Sequence, residues 1–214
     1  QDVYSEFRNR IVEAIDPQDL TSLRTLYQRE YQQLPFSKDR QQHILNAILI
    51  KSYMKAIDET VTLTSEEERV LHDYLFSVEI WGHYELLFFS SCSPLLSVQL
   101  LTKYTREMLR KSDFLQGVGK NRNMMHTLLL NAFMACIEID DFTNALYFKK
   151  QIEQNFFEEN ETYFRIVYLW AEGLLDSKQG RVEEGQRKME DALRIFEMIG
   201  CSKSADFYRS AMEC

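Results

Sequence analysis

Apolar positions in this chain recur every three or four residues with few interruptions, which is the spacing of amphipathic helices. Val3, Phe7, Ile11, Ala14 and Ile15 form a first stripe. Asp16-Pro17 then reads as an N-cap followed by proline at the first helical position. Leu20, Leu23, Tyr27, Tyr31 and Leu34 form a second stripe that Pro35 stops, and Ile44, Leu45, Ile48, Leu49, Tyr53 and Ile57 mark a third. Thr64-Ser65-Glu66-Glu67 is a capping box, in which Thr64 and Glu67 exchange backbone bonds; it opens a helix with Val70, Leu71, Tyr74, Leu75 and Val78 inside. Gly82 separates that helix from a short one over about 83–92, and Ser93-Pro94 caps another that runs to about Lys111. The stretch from Asp113 to Lys120, with its two glycines, is the clearest loop. Further helices are expected over about 121–139, 141–156, 161–178, 182–198 and 202–213. Gly180 and Gly200 fit the C-termini of two of them, where a left-handed residue is wanted.

The pattern gives eleven helices with short connections. Read as pairs they start near residues 2, 37, 83, 120 and 161, with one helix left over. Repeated helix pairs with two apolar faces stack into a solenoid. The expected fold is therefore all-α, a right-handed solenoid of about five tetratricopeptide-like pairs, with the odd helix capping the last core face. We expect residues 1–214 to form a single domain.

Composition narrows this further. Gly and Pro total 10 of 214 residues and Leu outnumbers Val by 25 to 9, which disfavours a sandwich or barrel. The chain is 45% hydrophobic, enough for a large core. Its longest mostly apolar stretch, Leu128 to Ile139, is 12 residues and carries Asn131; a membrane span needs about 20. The net charge of −8 argues against duplex binding by this chain alone, since phosphates call for a basic face. With no signal-peptide pattern, a reducing cytoplasm is the expected setting.

Chemistry is sparse. No HExxH or Glu-x-x-His occurs, and Cys92, Cys136, Cys201 and Cys214 show no metal spacing. Gly117 to Asn121 lacks the frame of a phosphate loop. Asp140-Asp141 precedes an apolar run and reads as an N-cap rather than a metal pair. No nucleophile stands beside a base, so we expect neither an enzyme nor a cofactor. His43, His72, His83 and His126 are scattered over four helices; one that is partly buried would respond to pH near 6.5. Cys201 and Cys214 are the cysteines to consider for redox.

Polar residues recurring along an otherwise apolar inner helix are more informative. Asn123, Thr127 and Asn131 repeat every four residues beside Met124, Leu128, Leu129 and Ala132. Facing a groove, side-chain amides both donate to and accept from an extended peptide backbone; buried without partners they would be costly. Gln42, Asn46 and Tyr53 form a weaker stripe on helix 37–57, and Arg165, Tyr168 and Glu172 another on helix 161–178. Tyr84 lies on the short helix between them. Arg106 and Arg110 offer charge for a peptide carboxylate, and Trp81 and Trp170 offer apolar pockets.

Trp81-Gly82-His83-Tyr84-Glu85-Leu86, the run from Leu130-Asn131-Ala132 to Asp141-Phe142-Thr143-Asn144-Ala145-Leu146-Tyr147, and the tail from Phe164 to Tyr208 carry a resemblance. The tail's frame is Gly180, Gly185, Met189, Ala192, Ile195-Phe196 and Ile199-Gly200-Cys201. Together these segments resemble the C-terminal regulatory domain of Rgg-family transcriptional regulators of streptococci and their relatives. The resemblance covers most of the chain, is strongest from about Trp81 onward, and contains no single diagnostic motif.

The resemblance implies a homodimer whose repeat domain binds a short hydrophobic signalling peptide on its concave face. It implies that promoter DNA is met only through an N-terminal helix-turn-helix domain absent from this chain, in agreement with the acidic charge. No membrane contact is implied. Asn123, Asn131 and Arg106 inherit the peptide-binding role from the family; Asn46, Tyr84, Thr127 and Tyr168 are candidates from spacing. Phe207 and Tyr208, in the part aligned with the family's dimer contact, are the candidate dimer residues. The alternative reading is a constitutive helical-repeat scaffold that docks a protein partner.

Overall fold

A computed structural model of the chain describes residues 19–112, 119–155 and 159–212. Among the described residues there are ten α-helices, one short 3-10 turn and no strand. The fold is all-α. The first expected helix, the Asp16-Pro17 cap, most of the 113–120 loop and Cys214 lie outside the described residues. Chain packing divides between Ser97 and Val98 into two compact units.

The first unit holds α1 (Leu20–Gln33), α2 (Arg40–Ile57), α3 (Ser65–Ser77) and α4 (His83–Cys92). Asp19 caps α1 by accepting from the Thr21 amide at 2.9 Å, and Asp39 caps α2 by accepting from Gln42 at 3.1 Å. The capping box at Thr64 and Glu67 is present with both of its bonds. α1 and α2 run antiparallel: Glu30 meets His43 at 2.8 Å near the turn, and farther along Lys51 Nζ lies 5.1 Å from the Tyr27 ring. Ser93-Pro94 does not cap the following helix. It opens the 3-10 turn Ser93–Leu95, and the next α-helix starts at Val98, because the proline falls within a single tight turn after α4 rather than at a helical N1.

Glu67 is fully buried and ties three helices of this unit together. It accepts from Lys51 Nζ at 2.6 Å, from the Thr64 amide at 2.7 Å, and from the hydroxyls of Tyr27 and Tyr31 at 2.9 and 3.0 Å. Burial raises its carboxyl pKa, but these donors together outweigh burial and hold it below the ordinary range.

The second unit holds α5 (Val98–Lys111), α6 (Gly119–Glu138), α7 (Phe142–Asn155), α8 (Thr162–Lys178), α9 (Val182–Met198) and α10 (Ser202–Ser210). Three of its turns are built alike. The backbone is left-handed at Asp140 (φ 59°), Gly180 (φ 89°) and Gly200 (φ 79°). In each, the next amide reaches back five residues, Asp141 to Cys136 at 2.8 Å, Arg181 to Asp176 at 2.9 Å and Cys201 to Phe196 at 2.8 Å. This is the Schellman closure of a helix end. Asp141 then caps α7, accepting from the Asn144 amide at 3.2 Å.

Contacts along the helices fix their directions. Tyr163 meets Phe196 and Gly173 meets Gly185, so α8 and α9 are antiparallel. Arg122 meets Glu161, His126 meets Phe164 and Phe133 meets Tyr168, so α6 and α8 run parallel. α10 folds back on α9, its Tyr208 stacked on Phe196 and tilted against Trp170. At Gly173 and Gly185 the two backbones of the α8–α9 hairpin touch; a Cβ on Gly173 would sit 2.5 Å from the Gly185 carbonyl oxygen.

Candidate functional site

α6 is the most buried helix of the second unit. Met125, His126, Leu128, Leu129, Leu130, Ala132, Phe133, Cys136 and Ile137 are all inside. The polar stripe read from the sequence stays accessible: Asn123 is exposed, and Thr127 and Asn131 are half-buried, as are Asn121, Met124, Met134 and Ala135. A four-residue spacing stacks the three side chains one above another. The Thr127 hydroxyl donates to the Asn123 carbonyl at 3.0 Å, within its own helix.

One position round from this stripe, Arg122 and His126 point to Glu161 at the start of α8. Arg122 Nε donates to Glu161 Oε1 at 3.0 Å, and His126 Nε2 lies 3.0 Å from the same oxygen. His126 is fully buried and Glu161 is 8% exposed. Burial pushes the His126 pKa down, favouring the neutral ring, while the Glu161 charge opposes that. Burial acts to raise the Glu161 carboxyl, and the close His126 ring and the bond from Arg122 outweigh it.

Tyr168 and Arg106 are engaged elsewhere. The Tyr168 hydroxyl accepts from Lys149 Nζ at 2.9 Å and donates to Glu153 at 2.9 Å. Lys149 also pairs with Glu172 and with Glu153. Burial pulls the ammonium pKa down, yet its two carboxylates and the tyrosine leave it well above the usual lysine range. Arg106 lies over the Tyr147 ring, 3.9 Å from its centre, and donates to Asn144 at 2.7 Å. An open cleft of about 400 Å³ is lined there by Arg106, Glu107, Leu109, Arg110, Tyr147 and Gln151. Thus both residues are bonded to α7.

In the first unit, Asn46 accepts from Gln42 at 3.0 Å and donates to Glu30 at 3.2 Å. Tyr84 is half-buried and stacks on Phe88. Trp81 and Trp170 are both buried, each packed within its own unit against an aromatic neighbour, Phe89 for Trp81 and Tyr208 for Trp170.

Over residues 25–210 the chain matches the C-terminal domain of the HTH-type transcriptional regulator Rgg. It belongs to the Rgg family. Two crystal structures of the SHP pheromone receptor Rgg2 from Streptococcus dysgalactiae share its fold, each at 25% identity. One gives a TM-score of 0.84 over 100% of this chain and 74% of the receptor, the other 0.85 over 99% and 77%. A putative transcriptional regulator from Listeria monocytogenes EGD-e matches at 18% identity with a TM-score of 0.75, covering 97% of this chain and 71% of that one, and speaks to the fold alone.

Within this Rgg domain, Phe207 is 65% exposed, whereas Tyr208 is 7% exposed and its ring is packed against Phe196 and Trp170. Adjacent residues on a helix point about 100° apart, so Phe207 presents a ring outward and Tyr208 fills the core. Among the described residues no group of three His, Cys, Asp or Glu side chains could hold a metal ion. No described helix is long and apolar enough to cross a membrane. Of the histidines, His43 meets Glu30 in the first unit, where His72 and His83 also lie, and His126 alone is fully buried.

Sequence reasoning missed Lys51, Arg122 and Glu161. Lys51 sits in an apolar helix between Ile50 and Tyr53, and a lone charge inside such a run is the clue that was there to read.

Proposed function

We propose that this chain is the peptide-sensing and dimerisation domain of a cytoplasmic transcription factor, built as a tetratricopeptide-like solenoid. A short hydrophobic signalling peptide lies extended along the α6 stripe and is held by Asn123, Thr127 and Asn131. The homodimer, with Phe207 at its contact, passes the bound state to an N-terminal helix-turn-helix domain that reads promoter DNA. The observation that carries this reading is the accessibility of three stacked polar side chains on a helix that buries most of its large apolar residues. Such a ladder fits a peptide backbone, which offers donors and acceptors alternately. Similarity to a receptor whose ligand is the SHP pheromone supports the choice of ligand class. The peptide shifts the regulator only by binding its two states unequally.

Calorimetry tests it. The probes are the SHP pheromone peptide of the Streptococcus dysgalactiae receptor and short apolar peptides encoded beside this protein's own gene. Saturable binding by one of them is expected. One lost hydrogen bond is worth about 1 kcal/mol, so Asn123→Ala, at an exposed position, should weaken that binding roughly fivefold and leave the thermal midpoint unchanged. Failure of every peptide to bind would refute the reading and favour a scaffold that docks a protein partner.

A further inference from the structure

Glu161 occupies the N-cap of α8, and its backbone carbonyl accepts the Arg165 amide at 3.2 Å. A short acidic side chain there, aspartate, turns its carboxylate onto the first amides of its own helix, where it also complements the helix dipole. Asp19, Asp39 and Asp141 do so. Glu161 makes no such bond. Its carboxylate reaches instead to Arg122 and His126 on α6, and all three side chains are largely buried, at 8%, 12% and 0% exposure. The longer glutamate is not a preferred capping residue, and its carboxylate serves a buried tertiary contact instead.

The partners are four residues apart on α6 and so share one face. Asn123 and Thr127 each follow a clamp residue by one position, about 100° round the helix. Fixing Arg122 and His126 therefore fixes the direction in which the first two amide-stripe residues point. It also fixes the distance from α6 to α8, since Glu161 is anchored by its backbone in the α8 cap. Removing the carboxylate leaves a buried guanidinium without this partner, and α6 can then lower its energy by turning Arg122 toward water. That turn carries Asn123 and Thr127 with it.

We propose that Glu161 is a positioning residue for ligand binding, a clamp that sets the rotation of α6 and its separation from α8, and thereby the aim of the polar stripe. This rests on the peptide-binding reading above, and the experiment has two arms so that the two can fail separately.

The first arm needs no ligand. Spin labels are placed at Asn123→Cys and Arg165→Cys, both exposed positions, in a background with Cys201 and Cys214 changed to Ser. Glu161→Gln should shift or broaden the label-to-label distance distribution. An unchanged distribution overturns the clamp whatever the peptide does. The second arm uses the peptide that binds wild type in calorimetry. Glu161→Gln should weaken it by at least about tenfold. The paired variant Arg122→Met with Glu161→Gln removes both charges and should recover the thermal midpoint, while binding stays weak because the clamp is gone. Recovery of binding together with stability would show that Glu161 matters for folding alone and would overturn the proposal. If no peptide binds wild type, the first arm still decides whether the clamp exists.

Discussion

Replacing Gly185 by alanine places a methyl group where two helix backbones already touch. The new Cβ would lie 2.7 Å from the Ser177 amide nitrogen, and the reciprocal change at Gly173 would put one 2.5 Å from the Gly185 carbonyl oxygen. Ordinary contact begins at 3.4 Å, so α8 and α9 must separate locally by roughly 1 Å, a gap at which packed atoms lose a quarter to a half of their attraction. The neighbours that feel it are Met189, Ala192 and Phe196 on α9 and Trp170 on α8, all buried. Overpacking of this kind costs about 1–3 kcal/mol or more, and the gain in helix propensity from glycine to alanine returns about 1 kcal/mol. A net loss of about 2 kcal/mol corresponds to a fall in melting temperature of roughly 4–8 °C in a chain of this size. Circular dichroism at 222 nm during heating reads it directly. Gly180→Ala is the control: nothing lies within 4 Å of its Cβ, and only its positive φ of 89° resists the change, at about 1 kcal/mol. A Gly185→Ala protein that melts at or above the wild-type temperature would falsify the close-approach account of this hairpin.

Other expectations concern charge and assembly. Glu67→Gln or Lys51→Met should each destabilise the first unit by about 3–5 kcal/mol by leaving a buried partner uncompensated. Because the Glu67 pKa is lowered on folding, its contribution is complete above the ordinary value of 4.5 and disappears as pH falls through the folded value; a Glu67→Gln melting curve series should lack that acid-side slope. The pKa of His126 is likewise lowered, by burial against the pull of Glu161. Neutral His126 thus supports the fold above pH 6.5, and that support is lost as pH falls below it, so His126→Gln should flatten the dependence of melting temperature on pH between 7.5 and 5. An unaltered slope would assign the acid response to other groups. Phe207→Glu should convert a dimer to a monomer in light scattering without lowering the melting temperature, since the ring is 65% exposed; an unchanged mass removes Phe207 from the contact.

Helix boundaries were largely legible because period and punctuation agree. The capping box at Thr64, the cap at Asp141 and the left-handed Gly180 and Gly200 were readable from residue type alone. Asp140 was not recognised as left-handed, since aspartate is only occasionally used there, and Ser93-Pro94 was read as a helix start because a 3-10 turn shares the same proline preference. The stripe at Asn123, Thr127 and Asn131 was legible because i, i+4 spacing fixes a face without knowledge of any neighbour. Arg106 and Tyr168 were harder. A period says which side of its own helix a long side chain leaves from, but not that Arg106 would lie on Tyr147 or Tyr168 on Lys149. The buried Glu67 and Glu161 have the same character: both look like solvated helix-start acids, and only the partner helices at Lys51 and Arg122 reveal otherwise.

The turn at Asp140 differs in one respect from its two sister turns. A glycine would relieve the left-handed backbone there, as it does at Gly180 and Gly200. The aspartate instead reaches Lys178 at 3.1 Å, and the same ammonium lies 3.4 Å from the Glu138 carbonyl. Lys178 ends α8, so the bend of one hairpin holds the tail of the next. Local comfort and connection between neighbouring hairpins are opposed at this residue. A chain optimised hairpin by hairpin would choose glycine and relieve the backbone in each piece while giving up the Asp140–Lys178 tie between them. Under the peptide-sensing reading proposed above, the seam matters more than the piece.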